Sequence, residues 1–266
     1  MRIRATVAAA SGALALSALF VLTAPAAHAG EAVKPDSALP VISKVSVNGG
    51  KDTVLGTTAP KTITLSVTAS HASGIVDGWV LLWHGTDLDE GLDGVLVPAG
   101  GVTCKNTNVA TTATCSVGLT IDPRTDLRKN KLAGTWHVLT GVTAKDGSST
   151  YYDSYATARV QRLSKLTVNA APEPVRKSGT ITVTGKLSRA NWEDHAYHGY
   201  TGQSVKLQFR KKTSSTYTTV KTIRTNSTGN LKTTVKASVD GYWRYSFAGT
   251  STTPAVTTAG DFVDVK

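Results

Sequence analysis

The chain has 266 residues and carries 29 Lys and Arg against 18 Asp and Glu, a net charge of +11, with only 6% aromatic residues. Beyond residue 29 no segment approaches the roughly 18 apolar residues that a membrane-spanning helix needs, so a helical membrane protein is excluded. Abundant Thr and Val favour strands and Gly marks turns, and no stretch sustains a capped 3.6-residue apolar period, so helix should be scarce.

The N-terminus sets the compartment. A basic start, Met1-Arg2-Ile3-Arg4, precedes an apolar stretch at residues 9–22 and a small-x-small close at Ala27, His28 and Ala29. Together these predict a secretory signal at residues 1–29, with the mature protein exported and extracellular. A membrane anchor is the competing reading, and Ser11, Gly12, Ser17, Thr23 and Pro25 dilute the stretch too far for it. About 237 residues remain, enough for two compact domains. Residues 30–40 read as an extended lead-in.

From there the strand signals are continuous. Ile63, Leu65 and Val67 alternate with Thr62, Thr64, Ser66 and Thr68, the period of a half-buried strand. Residues 79–83, with Trp79 and Trp83, predict another. Asp87, Asp89, Glu90 and Asp93 follow in an acidic loop, and closely spaced carboxylates suit Ca²⁺. The EF-hand pattern is not met, since Leu92 stands at its turn glycine and Pro98 at its final Glu, so a solvated acidic turn is the other reading. Residues 95–102 and 112–121 predict neighbouring strands flanking the only cysteines, with Pro98 making the first short, bulged or edge-placed. Outside the cell Cys104 and Cys115 should form a disulfide; no histidine or further ligand stands near enough in sequence for thiol catalysis or a metal. Trp136, Val138 and Val142 mark a further strand, and residues 151–162 finish the first domain.

An internal repeat sets the domain count. Ser43-Lys44-Val45-Ser46-Val47-Asn48-Gly49 is echoed by Ser164-Lys165-Leu166-Thr167-Val168-Asn169-Ala170. Residues 62–65 and 180–183 repeat Thr-Ile-Thr plus an aliphatic, and Gly134-Thr135-Trp136 parallels Gly241-Tyr242-Trp243. Three echoes in one order predict two copies of one architecture, residues 41–162 and 163–266. Their charges differ: residues 30–161 hold 11 basic and 12 acidic side chains, whereas residues 162–266 hold 16 and 6. A cationic second domain favours anionic partners such as wall polymers, unless the charge serves only solubility.

In the second half Val205, Leu207 and Phe209 alternate with Lys206, Gln208 and Arg210, and Trp243, Tyr245 and Phe247 share one side of a later strand. Seven or so short strands at this spacing fit a Greek-key sandwich. Residues 202–208, Gly229 and residues 241–249 resemble bacterial immunoglobulin-like or prealbumin-like repeats. The whole chain, including residues 187–192 and 79–85, resembles an uncharacterised family of secreted proteins from high-GC Gram-positive bacteria. That resemblance implies an all-β fold of two tandem immunoglobulin-like sandwiches and export, and it brings no catalytic or ligand-binding residues.

Two further segments carry possible chemistry. The loop at residues 189–201 holds Trp192, Tyr197 and Tyr200 beside Asn191 and Asp194, a set able to stack on sugar rings; alternatively Trp192 folds back over an open end of the core. Its His195 and His198, three apart and preceded by Glu193 and Asp194, could ligate zinc if the segment formed one helical turn; solvent-exposed loop histidines are the other reading. Lys206, Arg210, Lys211 and Lys212 are candidates for polyanion contact, with Lys206 and Arg210 opposite the apolar side of their strand. The segment lacks aromatic interleaving, which speaks against specific nucleic-acid reading. No serine-nucleophile motif, phosphate loop or dinucleotide fingerprint occurs, so no catalytic residue and no cofactor are assigned. The expected function is non-enzymatic binding of an anionic or glycan envelope component; the alternatives are a Ca²⁺-dependent extracellular module and a hydrolase with an unrecognised site.

Overall fold

Alternating apolar positions build both halves. The computed structural model describes residues 38–266, and among them no α-helix forms. The expected signal segment and residues 30–37 of the lead-in lie outside the described residues.

The first half comprises β1 (Val41–Val47), β2 (Thr53–Leu55), β3 (Lys61–Ser70), β4 (Ile75–Gly85), β5 (Leu92–Leu96), β6 (Thr103–Asn106), β7 (Thr112–Ile121), β8 (Gly134–Ala144) and β9 (Ser149–Arg162). One sheet has the order β1-β3-β7-β6 and the other β2-β9-β8-β4-β5. On β3 the residues Ile63, Leu65, Val67 and Ala69 are buried, and they join Leu82, Trp136 and Val138 of the other sheet in one core. Between β1 and β2 the chain crosses from one sheet to the other at Asn48, Gly49 and Gly50, all at positive φ. β2 then runs parallel to β9, the last strand, while every other pairing between named strands of this half is antiparallel. A first strand shared between two packed antiparallel sheets defines an immunoglobulin-like sandwich.

The second half comprises β10 (Ser164–Leu166), β11 (Asn169–Ala171), β12 (Gly179–Ala190), β13 (Tyr197–Gly199), β14 (Ser204–Lys211), β15 (Thr218–Arg224), β16 (Asn230–Ala237), β17 (Gly241–Phe247), β18 (Val256–Thr257) and β19 (Asp261–Val263). β12 pairs with β10, β11, β13 and β16 in one sheet; the other runs β15-β14-β17, with β18 and β19 both on the far side of β17. Ile181, Val183 and Leu187 meet Val205, Leu207, Trp243, Tyr245 and Phe247 across a separate core. The Tyr245 hydroxyl donates to the Val183 carbonyl at 2.9 Å, and burial pushes its phenol well above the ordinary tyrosine range.

The three sequence echoes occupy equivalent strands. Residues 43–49 begin on β1 and residues 164–170 run through β10 into β11; the Thr-Ile-Thr segments lie on β3 and β12; the Gly-x-Trp segments open β8 and β17. The parallel closure also recurs, as a bridge between Val175 and Val265. β9 ends at Arg162 and β10 starts at Ser164, so no linker separates the sandwiches, and residues 38–266 make a single compact unit.

The strand expected at residues 95–102 is placed differently. β5 ends at Leu96, short of Pro98, and pairs with β4 rather than with β7. The neighbour of β7 is β6, which carries Cys104 directly opposite Cys115. The two form a disulfide, and its inner half packs against the opposite sheet at Gly78. A loop of this size should stabilise the fold by about 2–3 kcal/mol through chain entropy. Replacing both cysteines with serine is expected to lower the urea midpoint by that equivalent, measured against the oxidised parent.

Candidate functional site

The acidic loop does not converge on a point. Asp87 Oδ1 accepts the backbone N–H groups of Asp89, Glu90 and Gly91 at 3.0, 2.7 and 3.2 Å. These bonds, led by those from Glu90 and Gly91, hold its carboxyl below the usual range. Asp93 lies on β5, where it meets Lys131 at 2.8 Å and His84 at 2.5 Å. Burial disfavours its charge, but the hydrogen bonds from Lys131 and His84 outweigh it and the carboxyl titrates low. Among the described residues no group of three or more His, Cys, Asp and Glu could hold a metal ion. Asp87 therefore caps its own turn through the backbone N–H groups of Asp89, Glu90 and Gly91, and Asp93 is tied instead to His84 and Lys131.

The aromatic loop at residues 189–201 is a short hairpin, not an open loop. β13 folds back on the end of β12, pairing Tyr197 with Ala190 and His198 with Arg189. At its tip Trp192 is fully buried, and its neighbours belong to the core of the first sandwich. The indole N–H donates to the Gly56 carbonyl at 2.9 Å, and the Trp192 backbone N–H donates to Asn130 Oδ1 at 3.0 Å. Asn191 Oδ1 accepts from Asn130 Nδ2 at 2.6 Å, and Glu193 accepts the Asn130 backbone N–H at 3.0 Å. Tyr197 packs against the same core under Lys165, while Tyr200 leans on Phe247 of its own sandwich under Arg189. Asp194 pairs with His198 at 2.6 Å. Trp192 does cover an open core, but that of the neighbouring domain, so its ring is not available to stack on a sugar.

Arg162 completes this junction. It is 7% exposed, its Nε donates to the Ala190 carbonyl at 2.6 Å, and its backbone N–H donates to Thr252. Burial, reinforced by the nearby Arg189 charge, pulls its guanidinium down to about 10.

The basic stripe opens onto a richer surface. β14 lies between β15 and β17, and Lys206, Gln208 and Arg210 pair with Ser246, Arg244 and Tyr242 across the outer face. β19 adds Phe262 beside Tyr242, their ring centroids 5.1 Å apart. Tyr217, from the turn between β14 and β15, reaches across this face to Gly260. A Cβ at Gly260 would overlap the Tyr217 hydroxyl, so only glycine leaves the ring its place. The Arg210 guanidinium carbon lies 3.9 Å from the Tyr242 centroid and 5.4 Å from that of Tyr217; that of Arg244 lies 3.6 Å from Tyr217. Lys212 stands 5.3 Å from the Phe262 ring. Lys206, Lys211 and Lys212 are exposed at the rim.

Aromatic interleaving is thus present, contrary to the expectation from β14 alone, because the rings come from the turn after β14, from β17 and from β19. Tyr242 and Arg244 had a legible signal: they alternate with Trp243 and Tyr245, so burial of the latter turns the former outward. Tyr217 and Phe262 had none, since their approach depends on a turn and on strand order.

Fold and surface together define a protein of two tandem immunoglobulin-like sandwiches, the second bearing a half-buried aromatic and guanidinium face. No family model and no curated protein matches the chain. Among solved structures it is similar to the fibronectin(III)-like modules of Clostridium thermocellum CbhA, at 12% identity and TM-score 0.33, covering 84% of this chain and 93% of that one. The D00-D0 domain of Intimin aligns at 14% identity and TM-score 0.26, covering 83% of this chain and 99% of that one. Latent PorU from Porphyromonas gingivalis aligns at 14% identity and TM-score 0.31 over 88% of this chain, which spans only 21% of PorU.

Proposed function

We propose that this is an exported, non-enzymatic binding protein whose second sandwich holds an anionic polymer of the cell envelope against the outer face of β15, β14, β17 and β19. One observation carries the reading: Arg210 and Arg244 are stacked in place on Tyr242 and Tyr217, yet neither has a carboxylate within 4 Å among the described residues. A surface arginine usually pairs or remains mobile; a fixed, unpaired one retains its charge and has given up its side-chain entropy before a ligand arrives. The excess of basic residues after residue 161 attracts a polyanion from a distance, and the leader-like N-terminus and the resemblance to a secreted family support export. The first sandwich, bound to the second through Trp192, acts as its support.

Passing the full mature chain over an immobilised anionic wall polymer tests this. Retention is expected at about 0.05 M salt and elution by about 0.5 M, because screening shortens the reach of exposed charge. Changing Lys206, Lys211 and Lys212 together to Glu should abolish retention while leaving the melting temperature near that of the parent. Retention that ignores both salt and these three changes would sink the reading.

A further inference from the structure

The two stacked arginines carry more than charge. We propose, resting on the binding face described above, that Arg210 and Arg244 form a clamp for one tetrahedral oxyanion, a phosphate or sulfate group on the bound polymer.

The clamp follows from what each guanidinium has left to donate. Arg210 spends one N–H of Nη1 on the Ser214 carbonyl at 2.8 Å, and Arg244 spends Nε on Gln208 Oε1 at 2.8 Å. A guanidinium offers five N–H donors, so each keeps four with no protein acceptor among the described residues. Both groups border the same ring, their guanidinium carbons 5.4 and 3.6 Å from the Tyr217 centroid, and they come from the paired strands β14 and β17. The acids nearby are engaged elsewhere. Asp240 accepts the Val265 N–H and faces Lys212, Asp261 accepts the Ala170 N–H, and Asp264 faces Lys266. None of these acids therefore forms an ion pair with Arg210 or Arg244.

The shape of the ligand group follows from the forks. A carboxylate is planar, and a single guanidinium satisfies both its oxygens side by side. Two guanidiniums held at fixed, separate orientations suit a group whose oxygens point in several directions, as those of phosphate and sulfate do. Both groups share this chemistry, and the identity of the polymer separates them.

Three polymers of matched charge density provide the test: polyphosphate, a sulfated polysaccharide and a carboxylated polysaccharide, each titrated into the intact mature protein. The phosphate or the sulfate polymer is expected to bind about tenfold more tightly than the carboxylate polymer, and the tighter of the two names the source. Arg210→Lys and Arg244→Lys keep the charge and lose the fork, and each should bring that preference to within about twofold while binding persists. Gly260→Ala, which displaces Tyr217 without touching charge, should do the same, and the lysine variants carry the test if it does not fold. Equal binding of all three polymers, or an unchanged preference in both lysine variants, overturns the clamp and leaves polyanion binding standing. Failure of every polymer to bind overturns both.

Discussion

Trp192→Ala is expected to cost about 3–5 kcal/mol, the range for emptying a large buried aromatic site. The ring is fully buried, and with it goes the hydrogen bond to Gly56, leaving a carbonyl without its donor. Location decides the consequence. The side chain belongs to the second sandwich and fills the core of the first, so the substitution weakens a domain in which it does not reside. The parent should unfold in urea in one transition seen by both tryptophan fluorescence and far-ultraviolet dichroism. In Trp192→Ala the first sandwich should unfold at lower urea than the second, splitting the curve. Trp192→Phe keeps most of the volume and loses the hydrogen bond, so its cost should be nearer about 1–2 kcal/mol. A midpoint for Trp192→Ala equal to that of the parent would show that the indole is not structural. The same dependence means that removing residues 163–266 leaves a hole in what remains, so ligand binding is properly tested on the whole chain.

Gly229→Ala ranks beside it. Gly229 sits at φ 81°, in the left-handed region, at the turn before β16, and a Cβ there would stand 2.5 Å from the Leu187 carbonyl oxygen and 2.6 Å from Gly199 Cα. Those neighbours are backbone and cannot rotate away. Gly199 meets the same turn from its own side, where any Cβ would overlap the Thr228 carbonyl. The left-handed conformation alone costs about 1–2 kcal/mol for a residue with a side chain, and displacement of the packed backbone adds a similar amount. The hydrogen bond from Leu187 N–H to the Gly229 carbonyl, 2.9 Å, should be lost as well. Because Gly199 ends β13, the strand that returns from Trp192, the defect should also loosen the junction between the sandwiches. Thermal melting should fall by several degrees or more, and hydrogen exchange should rise at Leu187 and Tyr200, whose N–H groups bond across this crossing. Unchanged protection at these two amides would contradict the account.

The basic face illustrates how a pattern can be legible while its purpose is not. Alternation on β14 correctly turned Lys206 and Arg210 away from Val205 and Leu207. It could not say what would lie beside them, because Tyr217 arrives from a turn and Phe262 from a strand that neighbours β17, more than fifty residues further along the chain. Trp192 shows the opposite case. Its aromatic, hydrogen-bonding surroundings look the same in sequence whether the ring meets a ligand or a neighbouring core. The four acids at residues 87–93 likewise look like a ligand set until the backbone amides of their own turn are found to occupy Asp87.

The sequence by itself determined most of the longer strands, their inward sides, the doubled architecture and the disulfide. These depend on alternation, on repeated segments and on cysteines that are close along the chain, all of which are local in sequence. Only the tertiary structure decided which domain Trp192 completes, which strand Cys104 stands on relative to β7, and which rings lie between the arginines. Each of those depends on contacts between residues far apart in sequence, and a period of two says which side of a strand a residue faces but not what it faces.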